Sequence, residues 1–441
     1  MTAPATDAGR GTSRTPLVLR NRAFGTVWAA QVLTQAAVRM FQVGVSWWLV
    51  AYAVSGGRGL ASGLFMAVST LPAVALAPVV ARTIARHAHR SVLRAAAAGA
   101  GTAAAALACW AYAADLPLAA AYAATLALAT GQAFFDPCLT TSVPELVDDA
   151  DIEAATGFEL STQSLASLGG ALLGALIVDG AGLAGLATGC AAAYLTAALL
   201  ITTVRFRPQA AHGAAEDATN TANTEETGAS AQPKLRRILG GLPFVRRILL
   251  CFTAANLFTT AVFVIIPLYT RSVLGDGGGT VALLEASLGA GTLIGSFTGA
   301  RVPGRPTTAG ACLMGLMALA LAVPGLAPGR PVMAGCLLVA GWCVGVIGVR
   351  FVALFQRLVP PADKPGFFAV MQAVLGATFP VASLLFGLLG DHVEPRVLCL
   401  VQAAGLLPAA CALALLREER PTAPTAPAAP EPQLTASGGE R

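Results

Sequence analysis

Charge is scarce in this sequence. Asp, Glu, Lys and Arg make up 12% of its 441 residues, about half the share found in ordinary soluble domains. A soluble chain of this length needs more charge than that to cover its surface. Histidine is reduced to four residues, with no HExxH pattern or similar cluster, so the common zinc chemistries find no ligand set. The nine cysteines (Cys109, Cys138, Cys190, Cys251, Cys312, Cys336, Cys343, Cys399 and Cys411) lie in or beside apolar runs without CxxC or regular spacing. They read as small core hydrophobes, not as a disulfide framework or a metal site. The sequence has no phosphate-binding P-loop, which argues against direct nucleotide drive. The net charge of +5 is spread over segment ends and not gathered on one face, which argues against a nucleic-acid partner. No paired nucleophile and base stands out, so the chain is not expected to be an enzyme or to need a cofactor.

What the sequence has in abundance is apolar residues, at 56%, and they come in blocks. Runs of roughly 20 residues are the length needed to cross about 30 Å of hydrocarbon as a helix. Alternating ten-residue segments, the mark of a membrane barrel, are absent. The blocks are rich in Ala, Leu and Gly and read as helices. Twelve are expected, near 22–53, 60–82, 92–114, 116–146, 153–178, 182–204, 244–271, 279–301, 307–326, 331–358, 366–390 and 395–416. The first run is longer than the 7–15 residues of a signal-peptide core and lacks a cleavage site, so it reads as a membrane helix. The organisation predicted is an N-terminal arm (1–21), a first six-helix half (22–204), a linker (205–243), a second half (244–416) and a tail (417–441). Within the linker, 208–233 is polar and aperiodic and is expected to be disordered. The Pro-rich tail is expected to be extended or disordered too.

Basic residues set the orientation. Arg58, Arg271, Arg330 and Arg396 fall on one side, and Arg39 and Arg350 inside spans. The other Lys and Arg residues, including Arg82, Arg86, Arg90 and Arg94, fall on the opposite side with both termini and the linker. That side is predicted to be cytoplasmic, which requires an even number of crossings. A repeat supports the division into halves. Glu145-Leu-Val-Asp-Asp-Ala-Asp151 follows the fourth span, and Arg357-Leu-Val-Pro-Pro-Ala-Asp363 follows the tenth, 212 residues later. Two parallel six-helix repeats place a substrate site between them near the bilayer midplane.

Several stretches resemble one family. They are Leu19-Arg-Asn-Arg-Ala-Phe24 with Gln31, Gln35 and Phe41-Gln-Val43; Phe134-Phe-Asp-Pro137 followed by Val143-Pro-Glu-Leu-Val147; Ile266-Pro-Leu-Tyr269; and Gln356-Arg-Leu-Val-Pro360. Together they are similar to the drug and siderophore exporters of the major facilitator superfamily, the group of macrolide efflux pumps and the enterobactin exporter. The resemblance implies the twelve-helix major facilitator fold, a multi-pass plasma-membrane location and alternating access. It also implies proton-coupled export of a small amphipathic compound. The chain departs from the pattern at three places. The loop after the second span has Ala81 and Arg86 where relatives place Gly and Asp. Val38 stands where many relatives place an acid. The fifth-span motif Gly170-Ala-Leu-Leu-Gly174-Ala175 lacks its usual Pro. Import, lipid flipping or a non-transporting sensor role are the alternatives on this fold, and the substrate and oligomeric state are not legible.

A charge inside a span costs about 2.5–3.5 kcal/mol on insertion scales, so it faces a cavity or a partner. Arg39, Asp136 and Glu285 are the candidates for substrate or proton coupling. The competing readings are a static ion pair for Arg39 and Glu285, and a helix break for Asp136 before Pro137. Glu159 and Arg350 lie nearer the cytoplasmic side and read as snorkelling or gate residues. A latch is expected between the basic loop, with Arg86 and Arg90, and the acids Glu145, Asp148, Asp149, Asp151 and Glu153, with Arg357 at the equivalent place in the second half. Gly291, Gly295 and Gly299 are spaced for close helix packing. Trp47 and Trp48 read first as an interfacial belt.

Overall fold

Asn21 opens the first long helix. Its Oδ1 accepts from the Phe24 N–H at 3.1 Å, and its Nδ2 donates to the Leu146 carbonyl at 2.7 Å. One side chain thus caps one helix and ties it to the end of another. The computed structural model describes residues 17–148, 151–204, 206, 243–359 and 364–416. The expected arm, linker and tail lie largely outside the described residues, as do Asp149 and part of each repeated loop motif. The side chains of Glu153 and Glu159 lie outside them too.

The described residues form helices and no strands. In chain order they are α1 (Arg22–Trp48, extended by a π-helical turn Leu49–Ala53), α2 (Arg58–Ala75, continued by Ala77–Arg86), α3 (His89–Ala113) and α4 (Leu118–Leu146). The run Ile152–Thr203 follows, and the second half begins with α7 (Pro243–Thr260, continued by Val262–Tyr269 and a π-helical turn Thr270–Leu274). Then come α8 (Gly278–Thr298), α9 (Pro306–Leu326), α10 (Arg330–Leu358), α11 (Lys364–His392) and α12 (Pro395–Leu415). A 52-residue helix would be about 78 Å long at 1.5 Å per residue, more than twice the hydrocarbon thickness. The chain avoids this at Gly182, whose φ of 66° and ψ of −174° interrupt the run. A left-handed φ is the conformation glycine adopts without a Cβ clash. The break divides the run into α5 (152–181) and α6 (183–203). Among the described residues a helix therefore stands at each of the twelve expected positions, within about four residues of the expected ends.

Among the described residues, ten stretches are long and apolar enough to cross a membrane, one of them containing the Gly182 break. α1 is not among them, because Gln31, Gln35, Arg39 and Gln42 lower its hydropathy. α9, α10 and α12 each have Pro in their first turn, where a missing N–H costs nothing.

Within a hydrocarbon solvent, helices associate through small residues that let backbones approach. A Cβ on Gly174 of α5 would lie 2.3 Å from the Met40 carbonyl of α1, and one on Gly170 would lie 2.7 Å from the Arg39 Cβ. The fifth-span glycines therefore seat α5 directly against the Arg39 segment. In the second half, Gly291 and Gly295 of α8 interlock with Gly341 and Gly345 of α10; each Cβ would meet a facing carbonyl at 2.1–2.2 Å. Close packing is the role of the expected glycine stripe.

The two halves meet along two seams, α2 on α11 and α5 on α8. Both seams are tightest at the end of the bundle away from the linker, here termed the far end. The opposite end, where residues 17, 204, 243 and 416 lie, is termed the linker end.

Candidate functional site

α7 presents Asn256, Thr259, Thr260 and Phe263 at helical spacing, and α8 presents Glu285, Leu288, Gly289 and Thr292 likewise. With Arg39 of α1 and Leu168 and Ala171 of α5, these residues line a cavity of about 380 Å³ between the halves. That volume lies within the range of small-molecule sites. Its wall is mostly apolar with a few convergent polar groups, the usual composition of such sites.

Arg39 and Glu285 are brought to this one cavity from opposite halves. Their depth follows from helix geometry. The Gly278 N–H binds Asp179 at 2.5 Å, and Trp47 Nε1 binds the same carboxylate at 2.6 Å. Trp47 and Gly278 are therefore level with each other. Arg39 lies eight residues before Trp47 and Glu285 seven after Gly278, so both sit about 10–12 Å below that level. They do not form an ion pair. Arg39 Nη1 instead donates to Gln42 Oε1 at 3.0 Å, and its guanidinium lies 6.0 Å from the Phe263 ring centroid, a cation–π contact across the halves. Its buried Nε makes no hydrogen bond. Glu285 is 7% exposed and has Arg39 as its facing charge. The static-pair alternative is not the arrangement found. The two charges flank a shared space that a third group can enter.

Asp136 sits elsewhere. Its Oδ1 accepts from Gln35 Nε2 at 2.7 Å and from Gln132 Nε2 at 2.5 Å. The carboxylate thus joins α1 to α4 inside the first half.

The latch expected at the linker end has a different construction. Glu145 Oε1 pairs with His89 Nδ1 at 2.7 Å, and Asp151 pairs with Arg20. Arg90 donates to the Thr202 carbonyl of α6, and Arg350 donates to the Val302 and Gly304 carbonyls of the α8–α9 turn, the latter at 2.5 Å. Every one of these contacts stays within its own half. The two arginines meet carbonyls that helix ends leave unsatisfied, a demand that competes with pairing to loop acids. Arg86 and Arg357 are exposed at the linker end, and Asp148 is placed there beside the end of α4.

Trp47 corrects another expectation. It is 1% exposed, not part of a lipid-facing belt. A buried indole N–H needs an acceptor, and Asp179 supplies it. Asp179 and Asp391 were missed because they fall at span edges, where an acid reads as interfacial. The polar stripe Asn256, Thr259, Thr260 was missed as well. Its i, i+3, i+4 spacing in an otherwise apolar span is the signal that marks it.

Residues 27–308 match the family model described as Major Facilitator Superfamily. No curated protein matches the chain by sequence. Among solved structures, a D-xylose–proton symporter aligns with a TM-score of 0.66 at 13% identity, covering 88% of this chain and 96% of that one. A bacterial homologue of the human lysosomal transporter Spinster, inward-facing and unoccupied, aligns with a TM-score of 0.67 at 12% identity over 89% and 93% of the two chains. A bacterial homologue of the iron transporter ferroportin, also inward-facing, gives 0.66 at 14% over 89% and 98%. At these identities the likeness is one of fold.

Proposed function

The chain belongs to the Major Facilitator Superfamily and is a secondary transporter, and on that premise we propose that it exports a small amphipathic compound in exchange for protons. The observation that carries the proposal is the central cavity, where Glu285 and Arg39 face a mostly apolar space without neutralising each other. An apolar wall suits the hydrophobic part of an amphipathic compound. A carboxylate without an ion-pair partner can take up a proton or a cationic group, and the arginine opposite it biases which form is held. Outward transport follows the resemblance of the α1 and α4 segments to drug and siderophore exporters. The Lys and Arg distribution supports a cytoplasmic linker end, and the family resemblance supports a plasma-membrane location. Residues 205–243 then act as a tether between two halves that rock about the cavity.

The energetics are sufficient. A proton moving down 100 mV releases about 2.3 kcal/mol, and a one-unit pH difference adds about 1.4 kcal/mol. One proton per cycle then sustains a substrate gradient on the order of several hundredfold.

The test begins with expression in a host stripped of its own pumps and a screen of compounds for reduced accumulation. With a substrate in hand, Glu285→Gln is expected to abolish proton-driven export while leaving folded yield and energy-independent exchange intact. Gradient-driven transport at the wild-type rate in that variant overturns the coupling role of Glu285. Uptake in place of extrusion, measured in sealed vesicles of known orientation, overturns export.

A further inference from the structure

Two carboxylates hold the halves together at the far end, and they occupy equivalent positions. Asp179 lies at the end of α5, and its Oδ2 accepts from the Gly278 N–H, the first residue of α8 in the other half, at 2.5 Å. Asp391 lies at the end of α11. Its two oxygens accept from the Gly59 N–H at 2.7 Å and the Leu60 N–H at 3.0 Å, in the first turn of α2 in the first half. Asp391 stands 212 residues after Asp179, the same offset that separates Glu145 from Arg357. In each half, the fifth helix therefore ends in a carboxylate that caps the second helix of the other half.

We infer that Asp179 and Asp391 are a matched pair of gate residues that close the far end, and that both clasps, three cross-half hydrogen bonds in all, must break for the cavity to open there. The first N–H groups of a helix lack partners within it and carry the positive end of its dipole, so a carboxylate there makes charge-assisted hydrogen bonds. The seams beside the clasps are closed by backbone contact. A Cβ on Gly59 would lie 2.3 Å from the Gly387 carbonyl, one on Gly63 2.2 Å from the Ser383 carbonyl, and one on Gly278 2.4 Å from the Ala175 carbonyl. Backbone surfaces this close separate as rigid bodies, so the capping bonds are lost together with the seam. Finally, Asp179 is also held by its own half, through Trp47 Nε1 at 2.6 Å and Tyr52 Oη at 2.8 Å. These donors fix the carboxylate in the position from which it reaches α8. The inference needs alternating access only, and stands whether the cargo moves out or in.

The experiment uses the full chain in lipid nanodiscs, with bioorthogonal spin labels at Gly56 and Gly329. These positions lie in far-end turns of opposite halves and have room for a side chain. Distances are read by pulsed electron resonance. With a roughly tenfold effect for each charged hydrogen bond, Asp179→Ala, which loses one, is expected to raise the ratio of long-distance to short-distance populations by roughly tenfold, Asp391→Ala, which loses two, by about a hundredfold, and the double variant by about a thousandfold. Asp391→Asn and Asp179→Asn, which keep an acceptor but lose the charge, are expected to fall between and serve if the alanine variants fold poorly. Tyr52→Phe removes one of the two donors that fix Asp179 but no cross-half bond, and is expected to shift the distribution less than either Asp179 variant. An unchanged distribution in the folded double variant, alanine or asparagine, overturns the gate role. A shift in Tyr52→Phe as large as that in the Asp179 variants overturns it for Asp179.

Discussion

Between α1, α4 and α5 the first half is crossed by polar side chains. Gln35 and Gln132 converge on Asp136, and Trp28 Nε1 donates to Thr162 Oγ1 at 2.5 Å. Between α7, α10 and α11 the second half is filled with phenylalanine. Phe252 lies 4.4 Å from Phe351, Phe351 6.4 Å from Phe355, Phe355 5.2 Å from Phe367, and Phe367 5.6 Å from Phe368. Counting on by the repeat offset, Asp136 corresponds to Gly348 and Gln132 to Val344. The same helix order thus encloses two kinds of interior. The fold asks for small residues where backbones touch and leaves the chemistry between them free. A ring stack has one good geometry, whereas amides and a carboxylate can exchange partners at modest cost. We expect the ring-packed second half to be the stiffer of the two and the polar network of the first to rearrange more readily, although neither group lines the cavity itself.

That contrast can be broken by mutation, and the largest effect is expected in the stiff half. Phe351→Ala removes a ring that touches two others and is 3% exposed. It should destabilise the folded protein by about 3–5 kcal/mol, visible as a large fall in Tm by dye-monitored unfolding in detergent. A Tm within a degree or two of wild type would show that the rings do not stiffen this half. A smaller effect is expected from Asp136→Leu. It leaves two amide donors without their acceptor, at about 1–3 kcal/mol. A double-mutant cycle with Gln35→Leu should give a coupling of roughly 0.6 kcal/mol, in the range measured for hydrogen bonds between membrane helices. Zero coupling would mean the amide cage is not a unit. The smallest effect is expected from Trp28→Phe, which loses one hydrogen bond at about 1 kcal/mol and should leave Phe351→Ala additive with it in the same melting assay.

The helix count and order were legible because each span is a block of apolar residues set off by Arg, Pro or Gly. Gly182 illustrates the limit of that reading. It was expected only as the edge of a span, and its left-handed backbone is what keeps two spans from fusing. Arg39 and Glu285 were legible as a facing pair from their depth alone, since helix rise converts sequence position into height. Their failure to form an ion pair was not, because it depends on which way each side chain turns, and Gln42 and Phe263 decide that for Arg39. The latch was legible in part: Glu145 pairs with a residue of the stretch 82–94, but that residue is His89 and not an arginine. Basic and acidic residues shared one membrane side, but backbone carbonyls at helix ends competed for the arginines. The far-end clasps were invisible as interactions because their donors are backbone N–H groups, which carry no residue signature.

That last property bears on how the gate withstands mutation. A backbone N–H is supplied by every residue except proline, so the Leu60 donor of the Asp391 clasp survives almost any codon change, whereas at Gly59 and Gly278 any side chain would meet a carbonyl of the other half at 2.3–2.4 Å. The acceptor side has no such redundancy: it rests on two single aspartates, Asp179 and Asp391. A random substitution is therefore more harmful in those two codons, and at Gly59 and Gly278, than at Leu60. Because the clasps lie on separate seams, a lineage that loses one still keeps a partly closed far end. The seal is thus narrow as a mutational target yet fails in two steps, which leaves room for leaky intermediates between a tight transporter and an open one.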